Sequence, residues 1–288
     1  MTAAQAGPSR PDSAGQDSAG QDSGGPDSGG PDFGKPSFAE ALQRLRSAQK
    51  SSKGAPAYSR FVNRRAGRFF AAAAFRLGLT PNAVTAISAL FSFIGIALLA
   101  LVPPSWLLGV GVMLALAIGY ALDSADGQLA RLRGGGSTSG EWLDHMIDAT
   151  KISSLHLAVL ISAYRFFDFG QPAWLLVPIG FTVVAAVSFF GMILNEQLER
   201  RAALTTGATR TRPQATSALR SLLVIPTDYG VLCLIFLLLG APMVFFAAYT
   251  LLFVGSAGYL ALAAVKWFRV MQSLDRRPTG MPTPEGTS

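Results

Sequence analysis

The sequence has few of the residues that bind soft metals or form covalent cross-links. One cysteine, Cys233, and two histidines, His145 and His156, occur among 288 residues. A single cysteine excludes an internal disulfide framework and a zinc site built on several thiolates. A metal site in this chain would therefore rest on oxygen ligands, which favour magnesium or manganese.

Charged residues are also scarce. They make up 14% of the sequence, whereas apolar residues make up 50%. An average soluble domain contains about 25% charged residues. Because this deficit comes with long uncharged runs, the composition indicates an integral membrane protein.

Six apolar runs predict an all-α integral membrane protein, since a spanning helix needs about 20 mostly apolar residues. The predicted spans are Pro81–Val102, Pro104–Leu122, Trp142–Tyr164, Ala173–Leu194, Tyr229–Leu239 and Pro242–Val265. Thr80 and Pro81 fit the N-cap and the first position of the first helix. The fifth run is short, unless its helix begins near Leu222 and passes through Pro226 with a kink.

Basic residues lie mainly on one side of these predicted spans. If both termini are cytoplasmic, the outer connections contain one arginine, Arg165. Basic residues are enriched on the cytoplasmic side of membrane proteins. The net charge of +7 therefore points to a membrane surface and not to nucleic acid. We expect a multi-pass protein of the cell membrane, inner or plasma.

The regions around the spans differ in composition. Residues 1–36 repeat a five-residue unit rich in Gly, Ser, Asp and Pro, which predicts a disordered tail. Residues 37–79 combine a polar linker with a segment, 58–79, that mixes phenylalanines and arginines. Such a mixture is typical of an amphipathic helix in the membrane interface. Residues 80–270 form the predicted six-helix domain, and 271–288 a disordered C-terminal tail.

Four aspartates occur at helical spacing on either side of a glycine-rich turn. Asp123 and Asp126 share a face at the end of the second span, and Asp144 and Asp148 share a face of the third. Two such helices would present their carboxylates to one space, where they would repel one another without cations. Divalent magnesium or manganese ions, in a pair, take these ligands and suit phosphoryl chemistry.

Small residues and an arginine accompany the aspartates. Gly127 and Ala130 continue the face of the first pair, and Gly140 lies one turn before Asp144. Their small side chains would let a flat ligand approach the backbone closely. Arg131 could hold a phosphate by paired hydrogen bonds. The set therefore fits a nucleotide diphosphate bound against metal ions.

The spacing D-x2-D-G-x2-A-R-x8-G-x3-D-x3-D resembles the signature of the CDP-alcohol phosphotransferase family. It is met by Asp123, Asp126, Gly127, Ala130, Arg131, Gly140, Asp144 and Asp148. The resemblance covers the predicted spans and the amphipathic lead-in, but not the repeat tail. It implies a metal-dependent enzyme of phospholipid biosynthesis. Such an enzyme transfers a phosphoalcohol group, for example from CDP-diacylglycerol, to an acceptor hydroxyl and releases CMP.

The resemblance also implies a role for each matching position. Asp123, Asp126 and Asp144 would bind the metal ions, and Asp148 would bind metal or act as the general base. The nucleotide would contact Asp123, Gly127, Ala130, Arg131 and Gly140. Pro81 and Asn82 match a further stretch without an assigned role. The active site would open to the cytoplasm. The expected partners are a CDP-alcohol, an alcohol or phospho-alcohol acceptor, the bilayer and a second copy in a homodimer.

Arginines between the fourth and fifth spans could bind a phosphate on the acceptor. The candidates are Arg200, Arg201 and Arg220. Enrichment of basic residues on the cytoplasmic side explains any one of them equally well. Nearer the aspartates, Lys151 is predicted to pair with Asp148, and Asp228 is predicted to cap a helix. His145 projects about 100° away from its neighbour Asp144 around the helix and is not expected to be a ligand.

Other functions remain open on the sequence. An ion transporter could use the aspartates, but a transport path places charge near the midplane, and these four lie at one interface. A scaffold gives no reason for four converging carboxylates. Within the enzyme class, a soluble donor such as CDP-inositol is the alternative to CDP-diacylglycerol.

Overall fold

A computed structural model describes residues 38–47, 58–206 and 225–275, and these residues form helices without a strand. The helices are α1 (Phe38–Ser47), α2 (Arg64–Arg76), α3 (Pro81–Leu101), α4 (Trp106–Leu132), α5 (Thr138–Phe166), α6 (Leu176–Thr206), α7 (Tyr229–Ile235) and α8 (Pro242–Asp275). A π-helical turn, Ser59–Asn63, precedes α2, and a 3-10 turn, Phe236–Gly240, follows α7. The predicted N-terminal tail, Leu222 and Arg220 lie outside the described residues.

Five of the helices, α3, α4, α5, α6 and α8, are long and apolar enough to cross a membrane. The prediction of an all-α, multi-pass membrane protein is thus confirmed. The fifth predicted span takes the short form that the sequence allowed, since α7 and its 3-10 turn occupy Tyr229–Gly240. At the other end, α8 continues to Asp275, past the boundary predicted at residue 270.

Polar caps fix where several of these helices begin. The Thr80 hydroxyl accepts a hydrogen bond from the Ala83 N–H at 3.2 Å, with Pro81 in the first helical position. The Asp228 carboxylate likewise accepts from the Gly230 N–H at the start of α7. Both predicted caps are confirmed. Each one satisfies a backbone donor that the first turn leaves without a helical partner.

Two apolar clusters hold the described helices together. The larger joins α3 to α8 and the 3-10 turn through buried side chains that include Leu99, Leu116, Leu155, Phe181, Leu232, Phe236 and Tyr249. The smaller joins α1, α2, α3 and α4 through residues that include Leu45, Ala71, Ala72, Val84 and Leu129. The second cluster surrounds the end of α4 that carries the first aspartate pair.

Close contacts on two sides position that end of α4. On one side, a Cβ added at Gly67 of α2 would lie 2.8 Å from Nε2 of Gln128. On the other side, the Ser88 hydroxyl of α3 donates to the Gly119 carbonyl of α4 at 2.9 Å. Glycine lets the backbones approach closely at both contacts. Helix α4 is therefore held between α2 and α3 where the aspartates begin.

Candidate active site

Helices α4 and α5 bring three of the four aspartates together. One carboxylate oxygen each from Asp123, Asp144 and Asp148 lies within 4.8 Å of the other two. Asp123 is on α4, and the other two are one turn apart on α5. The predicted meeting of carboxylates from two helices is found for these three residues, which we call the carboxylate group.

Asp126 has different partners. It is buried, and its Oδ2 accepts a hydrogen bond from the Thr85 hydroxyl of α3 at 2.6 Å. Its Oδ1 accepts from the Gly127 N–H. These bonds place the carboxylate at the contact of α3 and α4, and it does not join the oxygens of the carboxylate group in this structure.

Lys151 lies inside the carboxylate group. Its Nζ is 2.5 Å from Asp123 Oδ1 and 2.7 Å from Asp148 Oδ1. The residue is only 7% exposed. The predicted pairing with Asp148 is confirmed. The contact with Asp123 crosses from α5 to α4, and no spacing within one helix could have indicated it.

The donor atoms of the carboxylate group suit a divalent metal ion. Asp144 Oδ1 is a buried oxygen for which the described residues provide no hydrogen-bond partner. Three carboxylates also face a single ammonium, so negative charge remains in excess when all four groups are ionised. Buried charge without a partner is destabilising. Hard oxygen ligands, an orphaned oxygen and excess negative charge together fit magnesium or manganese.

The glycines predicted to contact a nucleotide have polar neighbours and few close contacts. A Cβ added at Gly127 would meet only the Arg131 guanidinium, at 3.6 Å. A Cβ at Gly140 would be 3.1 Å from Oδ1 of Asn82. The first residues of α3 therefore lie against the start of α5. Ala130 is half-buried, and Arg131 is exposed.

Sequence reasoning assigned no role to two residues of α3 that reach this region. Thr85 holds Asp126, and Asn82 lies beside Gly140. They are polar and three positions apart, so they share a face at the start of an otherwise apolar helix. That spacing is the signal that could have identified them.

The arginines predicted to bind an acceptor phosphate have mixed surroundings. The Arg200 guanidinium donates to Oε1 of Glu141 and to Oε1 of Glu196, each at 2.9 Å. It therefore links α6 to the first turn of α5. Arg201 is exposed, and Arg220 lies outside the described residues. His145 is 3.9 Å from Glu141, outside the carboxylate group.

Comparison with protein families gives a match to CDP-alcohol phosphatidyltransferase over residues 78–267, which is more than half of the chain. The chain belongs to the CDP-alcohol phosphatidyltransferase family. The resemblance that the aspartate spacing indicated is thereby confirmed. A comparison with curated proteins finds no match.

Membership of the CDP-alcohol phosphatidyltransferase family makes this chain a phosphotransferase. The matched residues contain the whole carboxylate group, Lys151 and the α3 residues beside it. Helices α1 and α2 precede the match. The long apolar helices of the match agree with a membrane enzyme, and a transporter or scaffold is no longer needed to explain the aspartates.

Proposed function

We propose that this enzyme transfers a phosphatidyl group from CDP-diacylglycerol to the hydroxyl of an alcohol or phospho-alcohol and releases CMP, in phospholipid biosynthesis. The observation that carries the proposal is the carboxylate group, in which oxygens of Asp123, Asp144 and Asp148 lie within 4.8 Å of one another. The family membership supplies the reaction class.

Two magnesium or manganese ions are proposed to bind here. Asp123, Asp144 and Asp148 would hold them, with Asp126 as a fourth ligand on the family spacing. The orphaned Asp144 Oδ1 supports this assignment, because it lacks a partner among the described residues. When bound, the ions neutralise charge that develops on the phosphoryl oxygens.

The residues of this chain would bind the donor and move the acceptor proton. Asp123, Gly127, Ala130 and Gly140 would contact the nucleotide, and the Arg131 guanidinium would donate hydrogen bonds to a phosphate. Asp148 would accept the proton of the acceptor hydroxyl as this oxygen attacks the β-phosphate. Arg200, Arg201 and Arg220 are proposed for an acceptor phosphate. For Arg200 this requires exchange with the carboxylates of Glu141 and Glu196.

The reaction itself can be tested by CMP release from purified protein. A panel of donors would contain CDP-diacylglycerol and CDP-inositol, each offered with glycerol phosphate, inositol phosphate and inositol as acceptors. We expect CMP only when CDP-diacylglycerol and an acceptor are both present. If CDP-inositol is the only donor from which CMP is released, the enzyme uses a soluble donor. No release from any combination would contradict the proposed function.

The nucleotide site can be tested through its glycines. Gly127→Leu and Gly140→Leu should each abolish CDP-alcohol binding, measured by titration calorimetry, because leucine would fill space beside the proposed nucleotide. Helix α4 should persist in Gly127→Leu, since a Cβ there meets only an ordinary contact. At Gly140 a Cβ lies 3.1 Å from the Ser137 hydroxyl that caps α5, so Gly127→Leu is the cleaner test. Gly111→Leu, also on α4 and without neighbours within 4 Å, is the matched control. Undiminished affinity in either test variant would place the nucleotide elsewhere.

The proposed topology has six spans, with residues 80–270 as the membrane domain and α2 in the interface. Basic residues before α3, such as Arg65, and after the apolar part of α8, such as Lys266, belong on the cytoplasmic side. Because both regions lie on the same side, the chain must cross the membrane an even number of times. The five long helices give an odd number, so Tyr229–Gly240 and the residues before it would supply the sixth crossing. The exposure of the α2 side chains supports an interfacial position for this helix, because Ala71 and Ala72 are buried while Phe69 is exposed.

This orientation puts the active site at the cytoplasmic face of the cell membrane, inner or plasma. In a Cys233→Ser background, a cysteine at Asp168 should react with an impermeant reagent in intact cells, whereas one at Gly136 should react only after lysis. The opposite pattern would overturn the orientation. A second copy in a homodimer is also proposed, and its test is the mass of the purified complex.

A further inference from the structure

The position of Lys151 within the carboxylate group carries a consequence for metal binding. Its ammonium is bonded to Asp123 Oδ1 at 2.5 Å and to Asp148 Oδ1 at 2.7 Å. These oxygens come from two helices, so the ammonium bridges α4 and α5. The side chain is 8% exposed, and water therefore screens these contacts little.

The same oxygen atoms are proposed metal ligands. An ammonium and a divalent ion cannot both contact Asp123 Oδ1 and Asp148 Oδ1 from one position, since each would occupy the space between them. Asp144 Oδ1, in contrast, has no partner among the described residues. Metal binding at Asp144 Oδ1 thus displaces no hydrogen-bonded cation, whereas binding between Asp123 and Asp148 must displace Lys151.

We propose that Lys151 is a resident counter-cation that lowers the affinity of this site for divalent metal and keeps the site folded when metal is absent. The proposal rests on the proposed function, because it presupposes that the carboxylate group binds metal. It makes the two proposed ion positions unequal. The position between Asp123 and Asp148 fills only at metal concentrations high enough to displace the ammonium.

A lysine that only shaped the site would have a different effect. If its bonds to Asp123 and Asp148 served to hold the ligands in place for metal, its loss would weaken metal binding. If it competes, its loss strengthens metal binding and leaves the metal-free protein with repelling carboxylates. The sign of the change in metal affinity therefore separates competition from positioning.

The experiment uses the full-length protein in lipid nanodiscs and two variants, Lys151→Met and Lys151→Arg. Methionine removes the charge and keeps a long side chain, whereas arginine keeps the charge. Lys266→Met is the matched control, because this lysine is exposed on α8, a helix that carries no member of the carboxylate group. Bound Mn²⁺ is measured from the loss of the free-ion electron paramagnetic resonance signal, and thermal unfolding is followed in EDTA and in saturating Mn²⁺.

We expect the weaker ion position of Lys151→Met to be half-saturated at about one tenth of the Mn²⁺ concentration that the wild type needs. This factor corresponds to a wild-type ammonium that occupies the position about nine-tenths of the time. In EDTA this variant should unfold at a lower temperature than the wild type, and saturating Mn²⁺ should remove the difference. Lys151→Arg should keep the metal-free stability and gain no affinity. Lys266→Met should behave as the wild type does.

Three results would overturn the inference. Weaker Mn²⁺ binding by Lys151→Met would make the lysine a positioning residue. Unchanged Mn²⁺ affinity in both Lys151 variants would show that the ammonium does not compete. If Lys151→Met does not fold in EDTA, it can be purified with Mn²⁺ and titrated downward, and Lys151→Arg still tests the role of charge. Absence of Mn²⁺ binding by the wild type would instead overturn the proposed metal site, and the inference with it.

Discussion

Asp148→Asn should lower the rate of CMP release at saturating metal by about 10²–10⁴-fold, the usual contribution of a general base, while CDP-alcohol still binds. Asparagine keeps the shape of the side chain but cannot take the proton of the acceptor hydroxyl. Asp148 is placed for this task because it lies on α5 one turn after Asp144, within the carboxylate group. The rate should be measured at saturating metal, so that a change in the contact between Lys151 and residue 148 does not alter how much metal is bound.

Variants of other aspartates distinguish a general base from a metal ligand. Asp123→Asn and Asp126→Asn should weaken metal and donor binding together, because they are proposed as ligands and not as the base. Asp168→Asn, in the exposed connection after α5, is the matched control and should leave both properties unchanged. If Asp148→Asn loses metal affinity as severely as Asp123→Asn, its role is ligation alone and the base assignment is wrong. Near-normal turnover would mean that the proton leaves by another route.

Chelation of divalent ions should reduce CMP release to background, and added magnesium or manganese should restore it. The carboxylate group offers oxygen atoms alone, and without neutralising cations its three carboxylates would repel the diphosphate of the donor. The measurement is CMP release in EDTA, followed by titration with each metal. EDTA saturated beforehand with magnesium is the control for effects of the chelator itself.

The chelation experiment also tests the proposed role of the metal ions. Full turnover in metal-free buffer would remove the metal ions from the mechanism and leave the carboxylate group without its proposed role. Restoration by magnesium or manganese, but not by sodium or potassium, would support divalent ions at hard oxygen ligands. Mn²⁺ binding without any turnover on the full donor panel would support a metal site whose chemistry differs from the proposed transfer.

The sequence alone determined much of the fold and the family of this protein. Hydropathy over about 20 residues identifies a helix that can cross a bilayer, and five long apolar helices are found where spans were predicted. Local rules also succeeded at Thr80, Asp228 and the Lys151–Asp148 pair, because each depends on residues within one turn of one another. The spacing of the aspartates was sufficient to recognise the family.

For the fifth predicted span, hydropathy left two possibilities open, a short helix or a longer one from near Leu222 with a kink at Pro226. Its apolar residues form a short α-helix followed by a 3-10 turn, because Asp228 caps the chain at Tyr229 and Pro242 begins a new helix after Gly240. Hydropathy reports how apolar a segment is, but not where its backbone hydrogen bonds begin and end. Caps and tertiary contacts decide those boundaries.

Only the tertiary structure decided which atoms meet in the site. Helical spacing fixes the angle between Asp123 and Asp126 on α4, but not which neighbour each carboxylate bonds. The packing of α3 against α4 gives Asp126 the Thr85 hydroxyl, and α5 delivers Lys151 to Asp123. These contacts join residues far apart in the chain. They depend on the distances between helices and on side-chain rotamers, and periodicity within one helix carries no information about either.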